Sequence, residues 1–563
     1  MPAGRLSATA LLSLLVLGCA APSRPPQMPG AASAAPAWFP ARTCQQAWAT
    51  LPEAARSYDL RRDGQLGPLG NLGYADWARP LHRSGCYKPW TVLIYMAADN
   101  DLAPYAYLDL YEMEAIGPNG QAGGSSHRVD VLVQLDTPGH TGIRRLHIFP
   151  SGEQYDTSLT LAQFAQRKEK DIRSPIVELL EEPAQADPAR DLEAFLEWGM
   201  RRYPAERYML VLWGHGEGWS PAQPPRQPAT SRFLRAEEVD VDLPAESATP
   251  RNPFAGRGFR GGVVFDWTQA AYLDIPSLHR VLRNTSQRLL GRPLDVYVAD
   301  ACLMQMVEVA TEISDSVRFI VGSAQVQDFL GLPYRDIMAH LTAADFGSAP
   351  RRVQTDDEAY LLAHLLPELY QASLDPNTGS LQAKLAPDAH RTVTMSALSS
   401  SELRSQLLPA MADLAARLSE YLAEDPLRSS DLRFVIQHTP SFIGSAQDVG
   451  AFLGMLELLL RREAQATPAV GPAHGRLQRA VNRTREALLR TVLSYAYGTE
   501  YRSVESQLHL LGFRAVSVWL PVSDSDFRAR IEDFRPSAFY RYGAPSPDRP
   551  GPWERWLSQL YSP

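Results

Sequence analysis

Between Trp90 and Val321, short apolar runs alternate with amphipathic stretches, and this alternation limits the possible folds more than any other feature of the chain. Thr91–Met96, Val129–Leu135, Arg207–Trp213, Leu294–Ala299 and Phe319–Val321 read as strands, with Ile143–Phe149 as a hairpin-like one. Helical spacing fills the gaps between them. Leu102, Tyr105, Leu108, Met113 and Ile116 share one face, and Asp191–Arg202, Ile275–Leu290 and Leu303–Ile313 also read as helices. Strand–helix alternation predicts an α/β sandwich around a largely parallel sheet. Between Ser220 and Gly258 the periodicity is lost and Pro, Arg and Glu accumulate. A structureless insertion that long inside a domain is usually functional or disordered. After about Asp345 the chain turns mostly helical, with further strand candidates at Thr392–Leu398 and Ala515–Leu520 and no internal repeat.

The N-terminus is read separately, because processing precedes folding. Arg5 is followed by the apolar run Leu11–Leu17, too short to span a bilayer but suited to a signal-peptide core. It ends in Val16-Leu17-Gly18-Cys19, which resembles a bacterial lipobox and predicts a mature chain starting at an acylated Cys19. Each buried acyl CH₂ is worth about 0.8 kcal/mol, so several acyl chains make a stable anchor. Ala20 in place of Asp favours the outer membrane, hence an extracytoplasmic, lipid-anchored location in the cell envelope. Of the 4 cysteines, Cys44 and Cys86 can then pair in an oxidising compartment, which leaves Cys302 as a lone thiol. A net charge of −8 without a basic stripe argues against nucleic acid as a partner. The chain thus divides into a signal peptide (1–18), a Pro/Ala-rich tether (19–41), a small segment with the expected disulfide (42–89), an α/β domain (90–345, with 220–258 as an inserted linker) and a C-terminal α/β region (346–563).

Two of the strands end in chemically loaded turns. Leu210-Val-Leu-Trp-Gly-His215-Gly216 is one, and Val296-Tyr-Val-Ala-Asp300-Ala-Cys302 is the other, running on into an expected helix. In open α/β sheets, sites form beyond the carboxyl ends of strands. A cysteine at a helix N-terminus would have its thiolate favoured by the dipole. Cysteine, histidine and two N–H donors make a minimal acyl-transfer site. Taken singly, a strand-end cysteine is most often a small core hydrophobe and a lone histidine a turn donor. Asp300 could equally be a helix N-cap.

These residues resemble the clostripain family of caspase-like cysteine peptidases. Trp90-Thr-Val-Leu-Ile-Tyr-Met-Ala-Ala-Asp-Asn-Asp-Leu102 is similar to its opening strand and turn, Leu212-Trp-Gly-His-Gly-Glu-Gly-Trp219 to its histidine motif, and Asp300-Ala-Cys-Leu-Met-Gln-Met-Val-Glu308 to its nucleophile motif. Val516–Pro521 and Trp553–Leu557 resemble its closing strand and final helix. The resemblance implies a caspase-like α/β/α sandwich with a helix-rich C-terminal region and cleavage of protein or peptide substrates after Arg or Lys. Cys302 would be the nucleophile, His215 the acid/base, the N–H groups of Gly216 and Cys302 the oxyanion donors, and Asp300 the acid that binds a basic P1 side chain. It also implies self-processing in the 220–258 linker and no required cofactor, with calcium possible. No metal ligands stand out, although Asp99 and Asn100 could lie near the nucleophile.

Departures from the family pattern are Ser323-Ala324-Gln325, where a Ser-Glu pair is usual, and Leu332, where an aromatic is commoner; Asp328 could substitute for the missing acid. The rival reading is a catalytically weak, surface-anchored binding protein that keeps the fold. The absence of HExxH, GxSxG and Walker A motifs disfavours metallohydrolase, serine hydrolase and nucleotide enzyme classes.

Overall fold

In the computed structural model the described residues run from 88 to 561, except 116–122, 127, 140–141, 152, 161, 164–165, 168–170, 175, 182–185, 220–260, 348–354, 379, 388–390, 467–470 and 499–510. Cys19, Cys44, Cys86 and the 220–258 linker lie outside them.

Five parallel strands form the centre of the molecule: β1 (Lys88–Ala97), β2 (Val129–Asp136), β5 (Ala205–Trp213), β9 (Leu294–Asp300) and β10 (Val317–Gly322). Antiparallel strands extend both sides. β3 (Gly142–His147) and β4 (Ile176–Glu181) follow β2, while β11 (Thr394–Ser399) and β13 (Val492–Tyr497) follow β10. The order across this 9-stranded sheet is β13-β11-β10-β9-β5-β1-β2-β3-β4. The sheet therefore runs across residue 345, since the C-terminal region supplies two of its strands.

Strand periodicity distributes the core. Trp90, Val92, Ile94 and Met96 of β1 point to one face, while Leu93, Tyr95 and Ala97 point to the other. The first face is covered by α1 (Ala103–Glu114), α5 (Tyr334–Ala343) and α6 (Glu358–Ser373). The second carries α2 (Pro188–Arg202), α3 (Ile275–Asn284), α4 (Val307–Ile313) and a C-terminal helical layer that includes α7 (Leu408–Glu424), α8 (Val449–Ala466), α9 (Pro472–Thr491) and α10 (Pro552–Tyr561). This is an α/β/α sandwich with a largely parallel sheet and a helix-rich C-terminal region.

Several helix ends follow from local chemistry. Asp187 and Asp274 accept from the N–H groups of Arg190 and Ser277, capping α2 and α3, each of which has Pro in its first turn. Two expected elements differ. Ser517–Trp519 does not join the main sheet but pairs with β12 (Ala446–Asp448) in a separate ribbon. The helix expected from Leu303 begins only at Val307. Leu303 has φ 62°, and the N–H groups of Leu303 and Gln305 donate to the carbonyls of Gln325 and Ser323 instead of starting a helical ladder.

Candidate active site

The order of strands reverses between β1 and β5, and side chains from the ends of β1, β5 and β9 converge just beyond that point. Register fixes their relation. Trp213 of β5 pairs with Asp300 of β9, and the N–H of Gly214 donates to the Asp300 carbonyl at 3.2 Å. Two residues further along each chain lie His215 and Cys302. Gly216 packs so closely on the Cys302 loop that a Cβ there would stand 2.4 Å from the Cys302 carbonyl oxygen and 3.1 Å from its nitrogen. No larger residue fits without displacing backbone.

His215 is oriented by two groups that sequence reasoning missed. Its Nε2 lies 2.6 Å from Asp101 Oδ1, and its ring stacks on Trp267 with parallel planes and centroids 5.6 Å apart. Both acid and imidazole remain partly exposed, at 44% and 30% of their side-chain surface. Asp99 and Asn100 do other work. Asp99 accepts from the Thr268 hydroxyl at 2.7 Å, and the Asn100 amide donates to the Ala97 and Phe265 carbonyls at 3.0 and 2.8 Å.

Cys302 is half-buried and bracketed by Gln327: the Gln327 N–H donates to Sγ at 3.3 Å, and Sγ lies 3.8 Å from the Gln327 carbonyl. No hydrogen bond joins His215 to Cys302; the imidazole faces Asp101 and the thiol faces Gln327. Because α4 starts five residues after Cys302, no helix dipole favours the thiolate, contrary to the expectation from sequence. Burial instead pushes the thiol up to about 12, with Glu217, Asp300 and Asp328 acting in the same direction against the Gln327 N–H.

Asp300 leaves β9 two residues before Cys302 but lies deep, with 5% of its surface exposed. One oxygen accepts from the Gln327 side-chain amide, and the other accepts from the Leu332 N–H at 3.2 Å and the Tyr334 hydroxyl at 2.6 Å. It does not cap a helix. Burial raises it to about 6 against these three donors. Beneath it, Asp109 accepts from the Trp213 indole; burial, then the charges of Asp300 and Glu112, hold its carboxyl well above the usual range. Gly331 separates the two acids. Its φ is +63°, and a Cβ would meet Asp300 Oδ2 at 3.0 Å and Asp109 Oδ2 at 3.2 Å, so glycine is required twice over. Asp328 is less buried, accepts from the Leu330 N–H at 3.0 Å, and is raised to about 7 by burial.

The fold also assembles a carboxylate cluster that is not apparent in the sequence. Oxygens of Asp99, Asp136 and Asp266, from the ends of β1, β2 and β7 (Gly262–Asp266), lie within 4.8 Å of one another. All three offer hard oxygen donors of the kind calcium takes.

Solved structures of similar proteins span most of the chain at low identity. A secreted C11 cysteine protease from Bacteroides thetaiotaomicron in complex with an irreversible peptide inhibitor is 18% identical, with 80% of this chain and 98% of that chain covered and a TM-score of 0.44. A second structure of a secreted C11 cysteine protease from that organism, "iotapain", is 15% identical, with 81% and 99% covered and a TM-score of 0.47. An inactive zymogen C11 protease from Parabacteroides distasonis is 16% identical, with 81% and 98% covered and a TM-score of 0.43. No curated protein matches. The model of the clostripain family matches residues 94–232 and 259–425, more than half of the chain, and the protein belongs to this family of cysteine peptidases.

Proposed function

We propose that the protein is a lipid-anchored endopeptidase of the bacterial cell envelope that cuts after basic residues by a Cys–His mechanism. One observation supports this reading: β5 and β9 are paired with Trp213 opposite Asp300, so His215 and Cys302 each follow two residues beyond the same end of the sheet, with His215 held by Asp101. Asp101 on Nε2 favours the tautomer that keeps its proton there and leaves Nδ1 to receive one. In the resting site the thiol is neutral. As substrate fills the cleft, the Cys302 proton passes to His215 and the sulfur attacks the scissile carbonyl carbon. The N–H groups of Gly216 and Cys302 receive the oxyanion. The C–N bond breaks, His215 gives its proton to the leaving amine, and water then hydrolyses the thioester.

Asp300 and Asp328 supply negative charge near Cys302 for a basic P1 side chain. Asp99, Asp136 and Asp266 would hold a calcium ion, which would offset three like charges where β1 leads into Asp101; no bond-breaking step passes through it. The arginines of the 220–258 linker, Arg226, Arg232, Arg235, Arg251 and Arg257, supply self-cleavage sites between His215 and Cys302. The Val16–Cys19 sequence supports the anchor.

The test compares wild type with Cys302→Ala and His215→Ala on fluorogenic peptides, with N-terminal sequencing of the products. Both variants should stay folded, lose turnover and remain one chain. Near wild-type turnover in either would refute the assignment.

A further inference from the structure

Asp300 has little left to offer a substrate. Its Oδ2 is filled by two donors and its Oδ1 already accepts from Gln327, so the carboxylate cannot present the free two-oxygen edge that an arginine fork requires. The Gln327 amide is oriented by this contact. Turning it over would place its oxygen against a carboxylate oxygen, so the NH₂ must face Asp300 and the carbonyl must face away. That carbonyl oxygen, Oε1, is buried in a residue only 7% exposed and has no hydrogen-bond partner among the described residues. An orphaned buried acceptor is costly to keep, so its persistence beside Cys302 points to a donor that arrives with the substrate.

From this geometry we infer that Gln327 is the specificity-determining residue of the P1 pocket: its carbonyl oxygen, polarised by Asp300 behind it, receives the ammonium of a lysine, which the enzyme prefers to arginine. The inference rests on the basic-P1 reading above and sharpens it. The acceptors left around Cys302 are separate points: Gln327 Oε1, the remaining lone pair of Asp300 Oδ1, and the carboxylate of Asp328, which has one oxygen engaged by Leu330. Three dispersed acceptors suit a compact ammonium with three rotatable donors. A planar guanidinium gains its strength from a coplanar pair of oxygens, and here Asp300 cannot supply one. Gln327 reaches Cys302 through its backbone N–H and Asp300 through its side chain, so P1 recognition is set close to the attacking sulfur.

The experiment measures kcat/KM on three peptides that differ only at P1, with Lys, Arg or neutral Gln, for wild type, Gln327→Met and Gln327→Ala. Methionine keeps the length of the side chain and removes the acceptor. Wild type should favour Lys over Arg by tenfold or more. In Gln327→Met that ratio should fall at least tenfold, mainly through a higher KM for the Lys peptide. Gln327→Ala provides the same reading if the Met variant melts early. Wild type favouring Arg, or equal losses on Lys and Arg in the variants, overturns the inference while leaving a basic P1 intact. Equal cleavage of the neutral peptide overturns the basic-P1 reading and this inference together.

Discussion

Removing the carboxylate of Asp101 should slow turnover without weakening substrate binding. The 2.6 Å contact to His215 Nε2 is a hydrogen bond to a charged group, a class worth about 1.5–3 kcal/mol. Since 44% of the Asp101 side chain and 30% of the His215 side chain face solvent, water screens the pair and the lower bound applies. About 1.5 kcal/mol corresponds to roughly a tenfold loss. Asp101 acts on the imidazole through this contact, so Asp101→Ala should lower kcat roughly tenfold and leave KM near its wild-type value. Asp101→Asn is the sharper variant. Its amide can donate to Nε2, which would move the imidazole proton to Nδ1 and remove the lone pair meant for the thiol. Asn should therefore be no better than Ala despite its closer shape. Steady-state kinetics on one fluorogenic peptide, with a thermal midpoint for each variant, reads all of this. An unchanged kcat in Asp101→Ala, or a loss carried by KM, would refute the positioning role.

With the thiol raised to about 12, alkylation of resting Cys302 by iodoacetamide should climb about tenfold per pH unit from 7 to 10; a plateau below pH 9 would contradict this. Because burial raises Asp300 to about 6, kcat/KM on basic P1 peptides should rise with pH through that value, and Asp300→Asn should remove this step while leaving the one near 7 that Asp328 contributes. The same shift bears on stability. A folded value above the unfolded one of about 3.9 makes this acid's contribution most favourable below pH 4 and lost as pH climbs to about 6, a slope Asp300→Asn should flatten. Finally, calcium should raise the thermal midpoint and a chelator reverse it, while a combined Asp136→Asn and Asp266→Asn variant should show no calcium response.

Much of this architecture is legible in the chain because the central strands are built on continuous apolar runs such as Val92–Ala97 and Met209–Trp213. β5 and β9 needed nothing further, although their register is seen only in the structure. What escaped depends on contacts distant in sequence. Leu303-Met-Gln-Met-Val307 reads as helix by composition, yet the side chain of Gln305 donates to Ser396 and its N–H to Ser323, which holds the segment open. Asp101 looks like any turn former after a strand; only the pairing of β1 with β5 brings it to His215. Gln327 carries no motif, and its role emerges from an amide trapped against Asp300. Asp99, Asp136 and Asp266 come from three different strands, so no local spacing announces them.

The seam between β5 and β9 has a consequence for control. Every strand up to β6 (Gly216–Gly218) precedes the linker and every strand from β7 follows it, so a cut there would assign β4, β3, β2, β1 and β5 to one piece and β9, β10, β11 and β13 to the other. His215 and Asp101 would travel with the first piece, Cys302, Asp300 and Asp328 with the second. Neither fragment could hydrolyse anything by itself, and each, if parted, would bare a full strand edge that only the other fits. Such a division is a coincidence detector: activity would report that two complementary halves are docked in register. Co-expressing the halves as separate genes would turn the peptidase into a sensor of their association.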